Sequence, residues 1–404
     1  MRAGELLGER YQLVRELGRG GFGVVWEAYD RRLGRQVAVK TLHQNHDRAA
    51  ASDLARLRRE VEVLARLAHP HIVVVFDLGE VRTDEELFSY VVMELLGGPT
   101  LAQVMAAGRC ELPLALEWAR QLCTALGAAH AARVVHRDVK PENIMFGAAD
   151  RAVLKVLDFG IAQYEDNQDP LTTTGSVIGS VRYLAPERWR GEPGTAGSDL
   201  YAVGCVLYEL FTGQRPFTAT QHYGLMVQHQ EHVPERPAAL PADVADLVMD
   251  LLAKDPEQRP ADAAQVARRL ARAAEAVRGL RRRADAAFVA ATEGRAADAV
   301  RELQDVIPQF ALTFGPQDGR TLRTCHDLAV SLERAGRRAE AYGLLRELLP
   351  AAERALGERH QDVEDLRHRL ERTAAELTPA ELGNPEPPAG LLAELLGAVN
   401  RMPA

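Results

Sequence analysis

The chain has 404 residues, which is enough for two or three domains that each bury a core of their own. Its formal net charge is −8, which argues against a dedicated nucleic-acid-binding protein. No run of about 18 uncharged apolar residues occurs, and the first residues lack the apolar stretch of a signal peptide, so we expect no membrane span.

The cysteines indicate the cellular compartment, and the scarcity of lysine draws attention to two positions. The four cysteines are scattered, with no pair at metal-ligand or redox spacing, so we expect reduced thiols in a cytoplasmic protein. Only four of the 49 basic residues are lysines. Two of them, Lys40 and Lys140, fall within the motifs described below. Their placement is informative because a guanidinium cannot replace a compact, mobile ammonium at such positions.

The first predicted element is a glycine-rich hairpin. From Tyr11 the alternation of apolar and polar residues predicts paired strands, interrupted by the segment Leu17, Gly18, Arg19, Gly20, Gly21, Phe22, Gly23, Val24 and Val25. Its glycines let the backbone turn tightly and bring amide groups against phosphate oxygens. Such a pattern alone also marks dinucleotide-binding folds and ordinary hairpins. A dinucleotide-binding fold requires a helix directly after the glycines, whereas residues 24–29 predict a strand. We therefore favour a hairpin that covers the phosphates of a bound nucleotide.

A strand and a helix follow this hairpin. Residues 37–40 predict a strand that ends in Lys40, and apolar residues at helical spacing predict a helix over 52–67. Glu60 and Glu62 on this helix point about 200° apart, so only one of them can face the strand. We favour Glu60, because it leaves apolar neighbours to pack around it. Glu62 and a solvated Glu60 are the alternatives.

The segment 136–143, with the sequence HRDVKPEN, is the most informative part of the chain. Transfer of a phosphoryl group needs a carboxylate that orients a hydroxyl, a cation on the phosphate and an oxygen ligand for magnesium. Asp138, Lys140 and Asn143 would supply these groups from one loop. Fifteen residues later, Asp158 begins an Asp-Phe-Gly segment and offers a second metal ligand. In this order and spacing, the motifs resemble the eukaryotic-like (Hanks-type) serine/threonine protein kinases of bacteria.

The resemblance implies an α+β bilobal protein kinase fold and the use of ATP and Mg²⁺. A β-rich N-lobe (11–96) and a helical C-lobe (97–270) would follow an N-terminal extension (1–10). Asp138, Lys140, Lys40 and Glu60 would form the catalytic set, with Lys40 paired to Glu60, and Asn143 and Asp158 would bind the metal. The nucleotide would lie against the glycine-rich segment 17–25 and against Ala38, Lys40, Met93, Glu94, Leu96 and Met145, with Met93 as the gatekeeper.

The resemblance also assigns roles around the segment between Gly160 and Ala185. We expect autophosphorylation at Thr172 and Thr174, with Arg137 pairing with the added phosphate. The alternative is a polar loop without a switch. Structural roles are implied for Arg137, Phe159, Gly160, Glu187 with Arg259 as its partner, and Asp199 beneath the catalytic loop.

The sequence changes character after residue 261. An arginine-rich helical linker is predicted at 271–283, and an internal repeat of 42 residues follows, in which Gly294, Ala299, Leu303, Pro308 and Leu328 recur at Gly336, Ala341, Leu345, Pro350 and Leu370. The repeat resembles tetratricopeptide repeats over 284–377 and predicts an all-α region of helical pairs. We expect these pairs to dock on the kinase or on a partner protein, and a helical spacer is the alternative. The tail, 378–404, is proline-rich, and we expect a short apolar helix within it.

Together these features predict an active serine/threonine protein kinase that acts on protein substrates and uses its helical repeats for regulation or partner binding. A pseudokinase scaffold is the alternative, and it is disfavoured because Lys40, Asp138 and Asp158 are all present. A small-molecule phosphotransferase of related fold is disfavoured by the Ala-Pro-Glu segment at 185–187 and the threonine-bearing loop before it.

Overall fold

The computed structural model describes residues 1–20, 23–43, 61–63, 65, 67–82, 87–108, 110–159, 181–238 and 240–383. The chain separates into two units. The first unit consists of Met1–Cys110, Leu114–Arg236 and Asp246–Ala271, and the second of Glu111–Pro113, Pro237–Ala245 and Arg272–Ala404. The domain boundaries expected from the sequence stay predictions.

The first unit opens with a six-stranded antiparallel sheet in the order β1-β2-β3-β4-β6-β5. Its strands are β1 (Leu6–Leu7), β2 (Tyr11–Gly20), β3 (Gly23–Asp30), β4 (Arg35–His43), β5 (Val75–Arg82) and β6 (Leu87–Met93). A separate two-stranded hairpin is formed by β7 (Ile144–Phe146) and β8 (Leu154–Val156).

The two faces of the sheet pack differently, and this difference positions Lys40. Successive side chains of a strand point to opposite faces. Val37 and Val39 of β4 are fully buried in a cluster on one face, together with Trp26 of β3. Ala38 packs in a second cluster with Val91, Val73 and Met93. Lys40, two residues after Ala38, therefore shares the face of this second cluster.

Helices make up most of the chain after the sheet. They are α1 (Leu101–Ala106), α2 (Leu112–Ala131), α3 (Pro186–Trp189), α4 (Ala196–Thr212), α5 (His222–Glu231) and α6 (Ala242–Leu251). A capping box of Thr100 and Gln103 begins α1. Helix α4 is buried along most of its length, begins with a capping box at Thr195 and ends at Gly213 with φ +75°. The α+β class predicted from the sequence is confirmed.

The C-terminal helices repeat as the sequence predicts. They are α7 (Ala263–Thr292), α8 (Ala296–Phe314), α9 (Gly319–Arg334), α10 (Arg338–Leu356), α11 (Gln361–Ala375) and α12 (Pro379–Gly383). The pairs α8–α9 and α10–α11 begin 42 residues apart, which is the period of the sequence repeat. The predicted all-α region is confirmed, while its tetratricopeptide character stays a prediction. In the described part of the chain, no helix is long and apolar enough to cross a membrane.

Candidate active site

Three predicted catalytic side chains meet in the loop that leads into β7. The ammonium of Lys140 donates to Oδ2 of Asp138 at 2.6 Å. Nδ2 of Asn143 donates to the same oxygen at 2.9 Å and to the Asp138 carbonyl at 2.8 Å. A 3₁₀ turn, Pro141–Asn143, brings Asn143 back towards Asp138. The loop thus concentrates one carboxylate, one cation and one amide within hydrogen-bonding distance.

Lys40 connects this region to the sheet. Its ammonium lies 2.8 Å from Oδ2 of Asp158, and its side chain is 8% exposed. Asp158 itself has φ +57°, a left-handed backbone conformation that few residues other than glycine adopt. The predicted partner of Lys40, Glu60, lies outside the described residues, as do Gly160, Thr172 and Thr174. The alternative glutamate, Glu62, is described and is exposed.

Asp199, in the first turn of α4, holds the backbone of the catalytic loop through hydrogen bonds. Asp199 is 1% exposed, and its carboxylate accepts the backbone N–H groups of His136 and Arg137 at 2.8 and 2.7 Å. His130 of α2 contacts the same carboxylate through Nε2 at 2.8 Å. Arg137 adopts φ +68°, so these hydrogen bonds hold a strained backbone in place. The arrangement agrees with the bracing role expected for Asp199.

His136 joins the catalytic loop to the Asp-Phe-Gly segment. Its Nε2 lies 2.7 Å from the carbonyl oxygen of Leu157. The ring of Phe159, which is 2% exposed, packs on the imidazole with a centroid distance of 4.6 Å. Both contacts fix Asp158, which lies between Leu157 and Phe159. A structural role for His136 is consistent with this packing.

Glu187 and Arg259 form a buried ion pair. Two parallel hydrogen bonds of 2.8 Å join the guanidinium to the carboxylate, and Ser198 of α4 donates to the same carboxylate at 2.8 Å. Burial alone would raise the pKa of Glu187, but the hydrogen bonds and charge of Arg259, together with hydrogen bonds from the backbone and Ser198, outweigh it, and the net pKa is lowered. The geometry matches the partnership predicted for these residues.

The glycine-rich segment forms the end of the β2–β3 hairpin. Gly18 pairs with Val25, Arg19 with Val24 and Gly20 with Gly23. Gly23 has φ +139°, which favours glycine at this turn. Leu17 and Arg19 are exposed, and Gly21 and Phe22 lie outside the described residues.

The remaining predicted nucleotide residues lie around the end of β6. Ala38 pairs with Met93 across the sheet, and both are buried, whereas Val25 and Met145 are half-buried. Leu96 follows shortly after the strand. Gly98 then passes close to β7, where an added Cβ would lie 2.4 Å from the Phe146 carbonyl. Only glycine fits this approach of the two segments.

The sequence interpretation missed one ion pair at this point. Lys155 of β8 donates to Oε1 of Glu94 at 2.6 Å, and the same oxygen accepts the backbone N–H of Val74 at 2.7 Å. The sequence analysis places Glu94 against the nucleotide and predicts no partner for its side chain. The scarcity of lysine in this chain was the available signal, since Lys155 is one of only four.

The donor set fits magnesium. Mg²⁺ prefers hard oxygen ligands and usually takes one or two from the protein, with phosphates and water completing its shell. Asn143 donates through its nitrogen, so its carbonyl oxygen is the atom suited to a metal. Asp158 adds a carboxylate. Neither residue brings the sulfur or imidazole donors that would favour zinc.

Comparison with known proteins agrees with this geometry. The protein kinase domain family matches residues 11–270. A probable serine/threonine-protein kinase of Streptomyces coelicolor is 42% identical over 259 residues, which cover 63% of this chain and 38% of the relative. Serine/threonine-protein kinase PknB of Mycobacterium tuberculosis is 42% identical over 266 residues, covering 64% and 42%. A probable PknB of Corynebacterium glutamicum is 39% identical over 278 residues, covering 66% and 42%.

The chain thus spans about two fifths of the length of the curated relatives that it matches. The matched residues include the whole of the six-stranded sheet except β1, the catalytic loop, and the Glu187–Arg259 pair. The family match extends over more than half of the chain, and the predicted bilobal kinase fold is confirmed by it. This chain therefore belongs to the protein kinase family.

Proposed function

We propose that this chain is a serine/threonine protein kinase, which transfers the γ-phosphate of ATP to serine or threonine hydroxyls of proteins. The observation that carries the proposal is the meeting of Asp138, Lys140 and Asn143 in one loop, with Lys40 held by Asp158. Its close relatives bear the name serine/threonine-protein kinase.

The reaction assigns one task to each side chain. Asp138 orients the substrate hydroxyl and accepts its proton as the oxygen forms a bond to the γ-phosphorus. Lys140 neutralises negative charge on the γ-phosphoryl group during transfer. In this step the bond between the γ-phosphorus and the oxygen of the β-phosphate breaks, and ADP leaves. Lys40 holds the α- and β-phosphates. Asn143 and Asp158 would hold Mg²⁺, which would neutralise negative charge on the phosphate oxygens.

Two features of the sequence support a protein hydroxyl as the acceptor. Lys140 follows Asp138 by two residues, the arrangement that in the resembling family accompanies serine/threonine specificity. The Ala-Pro-Glu segment at 185–187 disfavours a small-molecule phosphotransferase.

A phosphotransfer assay tests the proposal. The full chain is incubated with labelled ATP, Mg²⁺ and a serine- and threonine-containing protein. We expect Asp138→Asn and Lys40→Met to lower the rate by about 10²–10⁴-fold, because each removes a group that acts on the reacting atoms. Asp150→Asn is the matched control, since Asp150 is an exposed turn residue, and it should retain the wild-type rate. Wild-type rates for both active-site variants, or no transfer by the parent chain, would refute the proposal.

We propose further that the kinase phosphorylates itself at Thr172 and Thr174. Arg137 directly precedes Asp138, and Asp199 accepts its backbone N–H, so a phosphate on that segment would have a guanidinium next to the catalytic aspartate with which to pair. Mass spectrometry of the chain before and after incubation with ATP should show both sites phosphorylated, and the Asp138→Asn protein should show neither. An unmodified segment in the active protein would contradict this assignment.

The finer parts of the proposal concern place and partners. We place the kinase in the cytoplasm, where ATP is available, and the four free cysteines agree with a reducing compartment. Burial raises the pKa of Cys123 to about 12, as expected for an unreactive core thiol. The helical pairs α8–α11 would regulate the kinase or bind a partner protein. The pseudokinase alternative gains no support, since Lys40, Asp138 and Asp158 all lie in the site.

A further inference from the structure

The second helical pair leaves an apolar row less covered than the first. In α8 and α9 four side chains are between 0% and 6% exposed: Val300, Ile307, Phe314 and Leu328. The residues at the same repeat positions, 42 residues later, are only half-buried: Tyr342, Leu349, Leu356 and Leu370. We call these four residues the open row. In stacked repeats each unit covers the preceding one, so an open row marks an end that lacks its neighbour.

The tail of the chain contains a sequence similar to part of α10, the type of helix that would cover the open row. Residues 343–354 of α10 read GLLRELLPAAER, and residues 390–401 read GLLAELLGAVNR. Eight of these twelve positions are identical. The 42-residue period conceals the match, because the copies are 47 residues apart. Five additional residues, 384–388, account for the difference and contain three prolines.

The copied residues are the ones that α10 buries. Leu344, Leu345, Leu348, Ala351 and Ala352 are at most 1% exposed. Their counterparts in the tail are all apolar: Leu391, Leu392, Leu395, Ala398 and Val399. This spacing puts them on one face of a helix. The exposed Arg346 of α10 corresponds to Ala393, so the copies differ where α10 faces solvent.

The connection is long enough for the copy to reach the open row. Nine residues lead from the end of α9 at Arg334 to Gly343, and fifteen lead from the end of α11 at Ala375 to Gly390. The tail therefore has more chain than α10 needed to fold back on the preceding helix. Of these fifteen residues, Pro379–Gly383 form α12, and the prolines that follow at 385, 387 and 388 suit a connection between helices.

We propose that residues 390–401 form a third copy of the first repeat helix and cover the open row of the same chain. These residues lie outside the described part of the chain, so the proposal rests on the repeated sequence and on the half-buried row itself. The occupant is an apolar helix face of this chain, matched in residue type to the face that α10 buries within the helical repeats.

Hydrogen exchange measured by mass spectrometry on the full chain tests this proposal. Leu395→Arg puts a charge at the position of the buried Leu348, and we expect amides of α11 to exchange at least about tenfold faster than in the parent. Ala393→Arg is the matched control, since it restores the arginine of the first copy, and it should exchange like the parent. A chain that ends at Gly383 should behave like Leu395→Arg. Exchange in α8 should be unchanged in every variant, which shows that the rest of the region stays folded.

Two outcomes would overturn the proposal. One is parental exchange of α11 in both Leu395→Arg and the shortened chain. The other is a dimeric parent that becomes monomeric in both variants by sedimentation, because the copy would then cover the row of a second chain. If Leu395→Arg does not fold, the shortened chain decides between the outcomes.

Discussion

At the scale of single residues, Lys155 and Glu94 show how one ion pair can join three segments of the kinase unit. Oε1 of Glu94 accepts from the Lys155 ammonium and from the backbone of Val74, so β8, the end of β6 and the start of β5 meet at one oxygen. The side chains of Lys155 and Glu94 are 14% and 22% exposed, so solvent screens their charges only partly. The pair also holds in place Glu94, one of the residues that are expected to lie against the nucleotide.

Removing either partner should therefore destabilise the protein. We expect Lys155→Met and Glu94→Gln each to lower the free energy of unfolding by about 1–3 kcal/mol, which is typical for a hydrogen bond that involves charge. The double variant should lose less than the sum of the two, as measured by urea denaturation in a double-mutant cycle. Glu192→Gln breaks the exposed pair with Arg190 and serves as the control, with an expected loss of about 0–1 kcal/mol. Additive losses for Lys155 and Glu94 would show that they act independently.

At the scale of elements, the Glu187–Arg259 pair connects α3 to the loop after the 3₁₀ turn Pro256–Gln258. Arg259 also donates to the carbonyl oxygens of Ala253 and Gly197, so its guanidinium satisfies several backbone groups at once. Its side chain is 0% exposed. A buried charge that loses its partner is costly, so this pair should matter more than its surface equivalents.

Glu187→Gln is expected to lower the free energy of unfolding by about 3–5 kcal/mol at neutral pH, because it leaves the Arg259 charge buried without a counter-ion. The matched control is Asp246→Asn, which breaks the pair with Arg236 on the surface of the same unit. That change should cost about 0–1 kcal/mol. Urea denaturation followed by circular dichroism gives both values, and equal losses would refute the distinction.

The same pair predicts a pH dependence. Because the pKa of Glu187 is lower in the folded protein than its ordinary value of 4.5, its stabilising contribution is complete above that pH. The contribution is lost as the pH falls through the folded pKa, since the protonated carboxyl no longer offers a charge to Arg259. The stability difference between the parent and Glu187→Gln should therefore shrink as the pH falls below 4.5 and through the lower pKa of the folded protein. A difference that stays constant down to acid unfolding would contradict this origin of the effect.

At the scale of the whole molecule, the features predicted correctly from the sequence were those that depend on short motifs or on a repeat period. Asp138, Lys140 and Asn143 are spaced so that one loop brings them together, and the 42-residue period placed both helical pairs correctly. The Lys155–Glu94 pair was missed because it joins residues 61 positions apart and depends on how β8 meets the end of β6. The tail copy was missed because the 384–388 insertion shifts it out of register. The proposed roles of the site residues, including the partner of Lys40, stay predictions.

The left-handed backbone of Asp158 has a consequence for how this protein could lose the proposed kinase activity. Asparagine tolerates this conformation nearly as well as aspartate, whereas alanine is strained by its Cβ. Exchange of one carboxylate oxygen for an amide nitrogen would therefore preserve the local chain path and still remove the negative charge that Lys40 contacts. A single substitution, Asp158→Asn, would therefore give a folded protein without the proposed phosphoryl transfer. Any role that the helical repeats have in binding would not depend on that transfer.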